Sequence, residues 1–285
     1  MTRSKPSKSR RGNADRGPRD LSSTRGNKPR SDRSAIADVW LYGDHAVLAA
    51  LGNPLRKIKR LVLTKSKLNG LDNVVQGLIS EKVAPEILEK ENISRLLPEN
   101  ALHQGIAALP SPLPEMAVAD LPDADNKTTS IIAVLDQVTD PHNVGAILRS
   151  AAAFGVDAVI MPDRNSPPNT GVLARAASGA VETVPIIRVS NLSRALDQLA
   201  EKGYWRIGLD GRADQSLATA ITNTQHVALV LGSEGKGLRQ LTAQKCDLLA
   251  KLPISSKIES LNVSNAAAIA FYALSQHQLS DKTTK

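Results

Sequence analysis

Three short segments in the C-terminal half of this sequence hold side chains of the kinds that orient a ligand and move a proton. In the first, Asn143 and Arg149 follow Asp136-Gln137-Val138-Thr139-Asp140-Pro141-His142. At six residues apart they lie at different heights of one helix, and an amide and a guanidinium both grip oxygen atoms. Gly145 between them permits close approach of another backbone or a ligand. Pro141 and Asn143 also suit a helix start, so a cap and a solvated arginine are the plainer reading. In the second, the apolar run 227–231 meets Gly232, Gly235 and Gly237, with Glu234 and Lys236 between them. Backbone amides in such a loop can approach a ligand closely. The loop lacks the spacing and the Lys-Ser/Thr pair of a phosphate-binding P-loop. It also lies late in the sheet, where a dinucleotide fingerprint does not. In the third, Ser260, Asn262 and Ser264 gather before an alanine-rich run. Ser260 or Asn262 suits its cap, and the small residues allow tight packing on a helix or a ligand.

The elements that must position these groups alternate. Apolar runs at 131–135, 158–161, 184–189, 204–209, 227–231 and 249–254 read as strands. Helical patterns cover 143–154, 170–179, 192–202, 237–245 and 262–276. This α/β alternation predicts a parallel sheet with helices on both faces. In such a sheet ligands bind beyond the carboxyl ends of the strands, where all three segments fall.

A smaller α/β domain is expected at 36–110, with a helix at 45–51, a strand at 61–64, a helix near 70–82, a strand near 84–88 and an apolar run at 106–109. Residues 111–129 read as a linker, and 130–278 as the domain that carries the three segments. Residues 1–35 are rich in Gly, Pro and Ser, and read as a disordered tail. Positions 1–33 hold 11 Lys or Arg against 3 Asp or Glu, which accounts for the whole net charge of +8. Such an arm suits a polyanion or serves solubility alone. Arg56, Lys57, Lys59 and Arg60 form the densest basic cluster of the folded part, a candidate RNA contact or a solvated turn. Aromatic residues make up only 2%, which argues against a stacking platform for unpaired bases. The single cysteine, Cys246, excludes an intrachain disulfide and a zinc site built on several thiolates. It reads as a small buried residue, and no metal is expected. No apolar run spans a membrane and the basic start lacks an apolar core, so a reducing cytoplasm is the simplest compartment.

Taken together, Asn143-Val-Gly-Ala-Ile-Leu-Arg149, Leu231-Gly232-Ser-Glu234-Gly235-Lys-Gly237 and Ser260-Leu-Asn262-Val-Ser264 resemble, in order and spacing, the three motifs of the SpoU (TrmH-type) RNA 2′-O-ribose methyltransferases of the SPOUT superfamily. The likeness covers essentially all of 130–276. His103-Gln104-Gly105 and the opening Tyr42-Gly43-x-His45-Ala46-Val47 are similar to the small substrate-binding domain of the 23S rRNA guanosine members. Two departures stand out: Ser255 to Glu259 replace a link that often contains glycine, and Asn265 stands where valine is usual. Cofactor affinity is the property they bear on.

The resemblance implies a C-terminal trefoil knot, which pattern alone would never suggest, and a homodimer with its site near the interface. It implies S-adenosylmethionine bound in the knot, with Gly232, Leu252 and Leu261 around it and Gly211 and Ile254 as further walls. It assigns the catalytic part to Arg149, with Asn143, Glu234, Asn262 and Ser264 orienting it and the ribose. Glu234 is the alternative base, or else pairs with Arg149. A guanidinium is a poor proton acceptor, so fixing a phosphate and polarising the hydroxyl suits Arg149 better. The implied substrate is RNA, a guanosine of 23S rRNA in the first instance. A tRNA 2′-O-methyltransferase and a non-catalytic RNA-binding ribosome-assembly protein are the alternatives.

Overall fold

A computed structural model describes residues 39–125, 129–168, 170–222 and 224–283. The basic tail therefore lies outside the described residues. The small domain comprises β1 (Leu41–Tyr42), α1 (Asp44–Gly52), β2 (Ile58–Leu63), α2 (Lys65–Asn69), α3 (Asn73–Lys82), β3 (Glu86–Ile87), α4 (Lys90–Ser94) and β4 (Ile106–Pro110). Its sheet runs β1-β4-β2-β3, with β4 antiparallel to both its neighbours. Strand β2 is buried on both faces. Leu61 and Leu63 pack with Leu51 and Ile79, whereas Val62 packs with Tyr42, Ile93 and Ala107. Side-chain caps start the helices that cover it: Thr64 accepts from the Lys67 amide, and Asp72 from that of Val75.

The His103-Gln104-Gly105 element is a turn. The Gly105 amide donates to Nδ1 of buried His103 at 3.1 Å, which leaves the proton on Nε2 for the Ser94 hydroxyl at 3.0 Å. Burial lowers the His103 pKa, with Lys90 adding to the effect. Gln104 caps the α1 amide of Asp44 at 3.0 Å.

The larger domain follows with β5 (Ser130–Leu135), α5 (Pro141–Ala153), β6 (Ala158–Pro162), α6 (Gly171–Ala176), β7 (Ile186–Val189), α7 (Leu192–Glu201), β8 (Trp205–Leu209), α8 (Leu217–Ala220), β9 (His226–Leu231), α9 (Gln240–Gln244), β10 (Leu248–Ala250) and α10 (Val263–Thr283). Its six strands are all parallel, in the order β10-β8-β9-β5-β6-β7. The two-residue period of a strand explains the layering. Ile131, Ala133 and Leu135 of β5 face α5, α6, α8 and α10, with Phe271 fully buried among them. Ile132 and Val134 face α7 and α9. The expected helices on both faces are therefore present.

Strand order makes a crevice where the two central strands send their chains apart. Strand β5 leads to α5 on one face and its neighbour β9 leads to α9 on the other. Ligands of open parallel sheets settle at such a switch point.

Several boundaries differ from the sequence reading, each for a local reason. Helix α5 begins at Pro141, with Asp140 as its cap, so Asn143 is released for other contacts. Helix α9 starts at Gln240 because Gly237 adopts a left-handed φ of 66°. Strand β10 ends at Ala250, and Leu252 to Ile254 lie outside it. The segment expected as a linker is packed. Val118 and Leu121 are buried in the α7-side core, and Lys202 donates to the Leu121 carbonyl at 2.6 Å. Cys246 packs in the same core, and burial pushes its thiol up to about 12, in keeping with an inert side chain.

Candidate active site

The three segments meet beside the crevice. Asn143 lies on the first turn of α5, Glu234 in the loop after β9, and Asn262 at the start of α10. The Asn143 amide donates to Glu234 Oε1 at 3.0 Å, and Asn262 Nδ2 donates to Asn143 Oδ1 at 3.1 Å. Asn262 Nδ2 also donates to Glu234 Oε1. One carboxylate oxygen is thus held by two amides, and each amide is oriented by the other. A group fixed in this way needs little reorganisation when it meets a ligand.

Asn262 does a second task. Its Oδ1 accepts from the Ser264 amide at 2.8 Å and from the Ser264 hydroxyl at 2.6 Å. It is the cap of α10, and Ser264 in turn locks its rotamer. Asn262→Ala is expected to cost about 1 kcal/mol, which lowers Tm by roughly 2–4 °C in a chain of this size. Asn262→Ser keeps a capping oxygen without setting a second carboxylate against Glu234, and is expected to recover most of that loss in a thermal melt.

Arg149 stands apart from this network. It is exposed, and among the described residues it makes no hydrogen bond or ion pair. Six residues along a helix place it about 9 Å further along the axis and roughly 240° around from Asn143. The expectation that Asn143, Glu234, Asn262 and Ser264 orient Arg149 is therefore not met within one chain. Glu234 is held by the two asparagines instead of pairing with Arg149.

The glycine loop explains itself at two levels. Ser233 and Gly237 exchange backbone hydrogen bonds of 3.1 and 2.9 Å, closing the loop on itself. A Cβ at Gly232 would lie 2.2 Å from the Gly237 carbonyl carbon and 2.4 Å from the Leu238 nitrogen. Gly232 is thus required first by its own loop. Gly235 and Gly237 take left-handed φ values of 76° and 66°. Gly145 likewise serves packing, since a Cβ there would meet Ala176 of α6 at 2.4 Å.

The remaining cofactor candidates lie on two loops, the one after β8 and the one between β10 and α10. Leu252 and Leu261 are half-buried, and Ile254 is exposed. Gly211 has open space where a Cβ would stand. It adjoins an open cleft of about 690 Å³ lined by Asp210, Arg212, Gln215, Leu248 and Leu249. The Arg212 guanidinium bonds to Asp210 and holds that carboxyl below its ordinary value.

One structural pair escaped the sequence reading. Asp136, fully buried at the end of β5, accepts from the Arg239 amide at 3.0 Å and from its Nε at 2.6 Å. It ties the end of the glycine loop to the strand that carries the first segment. No spacing pattern signals a contact between residues 103 positions apart.

The basic cluster divides. Arg56 is 8% exposed and bonded to Glu182, so it is no surface contact for RNA; the expectation fails because its charge is used inside the protein. Arg60 pairs with Glu86 at 2.9 Å and lies over the Trp40 ring at 5.4 Å, while remaining exposed. Lys57 and Lys59 are exposed. Among the described residues no group of three or more His, Cys, Asp or Glu could hold a metal ion.

Comparisons with known proteins agree with this layout. A family model described as the SpoU rRNA methylase family matches residues 130–272. One described as RNA 2′-O ribose methyltransferase substrate binding matches 40–116. The chain is 37% identical to a Vibrio vulnificus protein named 23S rRNA (guanosine-2′-O-)-methyltransferase RlmB, over 87% of this chain and 100% of that one. It is also 37% identical to a Synechocystis protein named as an uncharacterized tRNA/rRNA methyltransferase, over 89% of this chain and 66% of the relative. Among solved structures, the SpoU methyltransferase AviRb of Streptomyces viridochromogenes in complex with AdoMet superimposes with a TM-score of 0.69. That match has 20% identity and covers 85% of this chain and 90% of AviRb.

Proposed function

The chain belongs to the SpoU rRNA methylase family, and from that premise we propose that it methylates a ribose 2′-hydroxyl of RNA, a guanosine of 23S rRNA, with S-adenosylmethionine as donor. The observation that carries the site assignment is the mutual hydrogen bonding of Asn143, Glu234 and Asn262 at the β5–β9 crevice. The guanosine target is supported by the substrate-binding domain at 40–116 and by the similarity to the Vibrio protein.

The loops fit such a cofactor. The 232–237 loop brings backbone groups to the crevice at its three glycines, and Leu252 and Leu261 add half-buried apolar surface. Bound there, S-adenosylmethionine supplies an electrophilic methyl group and a neutral leaving thioether. The protein must align the hydroxyl oxygen with that methyl and take up its proton. Glu234 Oε1 is occupied by two amide donors, which leaves Oε2 to accept from the ribose. Because Arg149 lies apart from Glu234 within one chain, its donors are proposed to reach the adjoining phosphate and the developing alkoxide across the homodimer. Ser264 keeps Asn262 in register.

Two features of the family complete the proposal. The first is the knot. In its support, the chain leaves edge strand β10 and returns to the centre of the sheet, where Asn262 meets Asn143 and Glu234. The second is a homodimer that buries α10. Ile269 and Tyr272 are 48% and 53% exposed there, with Phe154 edge-on to Tyr272 at 5.7 Å. Lys57, Lys59 and Arg60 are the folded-domain residues proposed to contact RNA. Among the described residues no helix is long and apolar enough to cross a membrane.

Mapping 2′-O-methyl groups in RNA from a deletion strain tests the reading. Loss of one 23S rRNA site, restored by the purified protein with S-adenosylmethionine, is the expected result. An unchanged 23S pattern with a lost tRNA site would replace the target. No change in either, together with no cofactor binding by calorimetry, would favour the assembly role.

A further inference from the structure

The small domain meets the methyltransferase domain along α6 and the 3-10 turn Ala180–Glu182 that follows it. At the start of α6, a Cβ on Gly171 would lie 2.6 Å from the Trp40 carbonyl oxygen and 2.6 Å from the Tyr42 ring. Beyond its end, a Cβ on Gly179 would lie 2.6 Å from the Ala49 methyl group and 3.0 Å from the His45 carbonyl oxygen. Between small domain and turn sits an ion pair. Arg56 Nη2 donates to Glu182 Oε1 at 2.7 Å and Arg56 Nε to Oε2 at 2.9 Å. Asn53 donates to Glu182 Oε2 at 2.9 Å and to the Glu182 carbonyl at 3.1 Å. Both charged side chains are buried, at 8% and 3% exposure.

A buried ion pair is a weak way to stabilise a fold, because desolvation cancels most of the attraction. Its advantage is direction. A guanidinium fork on a carboxylate tolerates little rotation or slip, and Arg56 Nη1 is anchored as well, on the Ser111 carbonyl at 2.7 Å. On its other side α6 abuts α5, where Ala176 fills the place of a Gly145 side chain. Helix α5 carries Asn143 and Arg149. A continuous path of packed atoms thus runs from the substrate-binding domain through Glu182 and α6 to the catalytic residues.

We infer that Arg56, Asn53 and Glu182 are positioning residues, which hold the substrate-binding domain in a fixed relation to α5. An RNA gripped by the small domain then delivers its ribose to Asn143 and Glu234 without a search. The inference rests on the RNA methyltransferase reading. It predicts a defect in RNA use that is separate from cofactor binding and from chemistry.

The test compares full-length wild type with Glu182→Gln, which keeps the shape of the side chain and removes its charge. Losing the fixed relation lowers the effective concentration of the ribose at the site, so the KM for RNA should rise about tenfold. The affinity for S-adenosylmethionine should stay within about twofold, and kcat at saturating RNA within about threefold. Amides of 44–52 and 171–177 should exchange with solvent faster while those of β5 and β9 do not. A folded variant with an unchanged KM for RNA, or one whose cofactor affinity falls in step with it, would overturn the inference. If Glu182→Gln does not fold, Asn53→Ala takes its place and should show the same split at about threefold. Wild type inactive on RNA would sink the functional reading instead. Hydrogen exchange alone then judges the positioning role, and unchanged exchange at both segments would reject it.

Discussion

Arg149→Ala is expected to lower methyl transfer by about 10²–10³-fold or more while leaving the fold and the affinity for S-adenosylmethionine nearly intact. The structural argument is that Arg149 has nothing to lose but its ligand. It is exposed on α5 and has no partner among the described residues. Alanine is also the better helix former, so the melting temperature should change by no more than a degree or two. Almost all of the loss must then come from the reaction. Arg149→Lys is a sharper probe than it looks. It keeps the charge but not the planar fork that can hold a phosphate oxygen and a hydroxyl together, so it should restore little of the rate. Calorimetry beside single-turnover methylation separates the outcomes. Loss of cofactor binding in Arg149→Ala would move this arginine from the ribose to the cofactor.

The separateness of Arg149 also shows what one-dimensional reasoning could reach. Asn143, Glu234 and Asn262 were legible because each sits in a segment with its own local signature: a helix start, a glycine turn, a capped alanine-rich helix. Their convergence followed from the parallel sheet, since each segment leaves the carboxyl end of a strand. The partner of each was not legible. Sequence reading left Glu234 as the alternative base or a partner of Arg149, and the carboxylate is held by Asn143 and Asn262.

The same limit explains Arg56. A run of four basic residues in five positions looks like a surface patch, and burial depends on a carboxylate 126 residues away. Asp136 and Arg239 were missed for this reason too, because a long-range ion pair leaves no periodic trace. Val118 and Leu121 failed differently: the apolar stretch from Met116 to Leu121, flanked by Pro and Asp, is too short to set a helical or strand period, so a packed strap read as a linker. Gly145 was read as admitting another backbone or a ligand, and the close approach of α6 is what it serves. Gly145, Gly171 and Gly179 all admit a neighbouring element within the protein, where a ligand was the rival explanation for Gly145.

Gly232→Ala is expected to abolish cofactor binding, with an affinity loss of at least ~100-fold, and to lower Tm by roughly 5–10 °C for a cost near 3 kcal/mol. The added methyl would meet the Gly237 carbonyl carbon at 2.2 Å, the Leu238 nitrogen at 2.4 Å and the Gly237 oxygen at 2.5 Å. All three atoms are backbone, so no side chain can swing aside, and the loop must open. Opening breaks the paired hydrogen bonds between Ser233 and Gly237, which enclose Glu234. The carboxylate then leaves Asn143 and Asn262, so the variant should lose activity even where RNA binding by the small domain survives. Gly211→Ala is the control. A Cβ there meets no atom within 4 Å, so its Tm should match wild type. Any loss of cofactor affinity in that variant would then report a ligand against Gly211 rather than a disturbed fold. The two variants together separate the glycine that shapes the loop from the one proposed to face the cofactor. A Gly232→Ala protein that binds S-adenosylmethionine like wild type would mean that the cofactor does not depend on this loop at all.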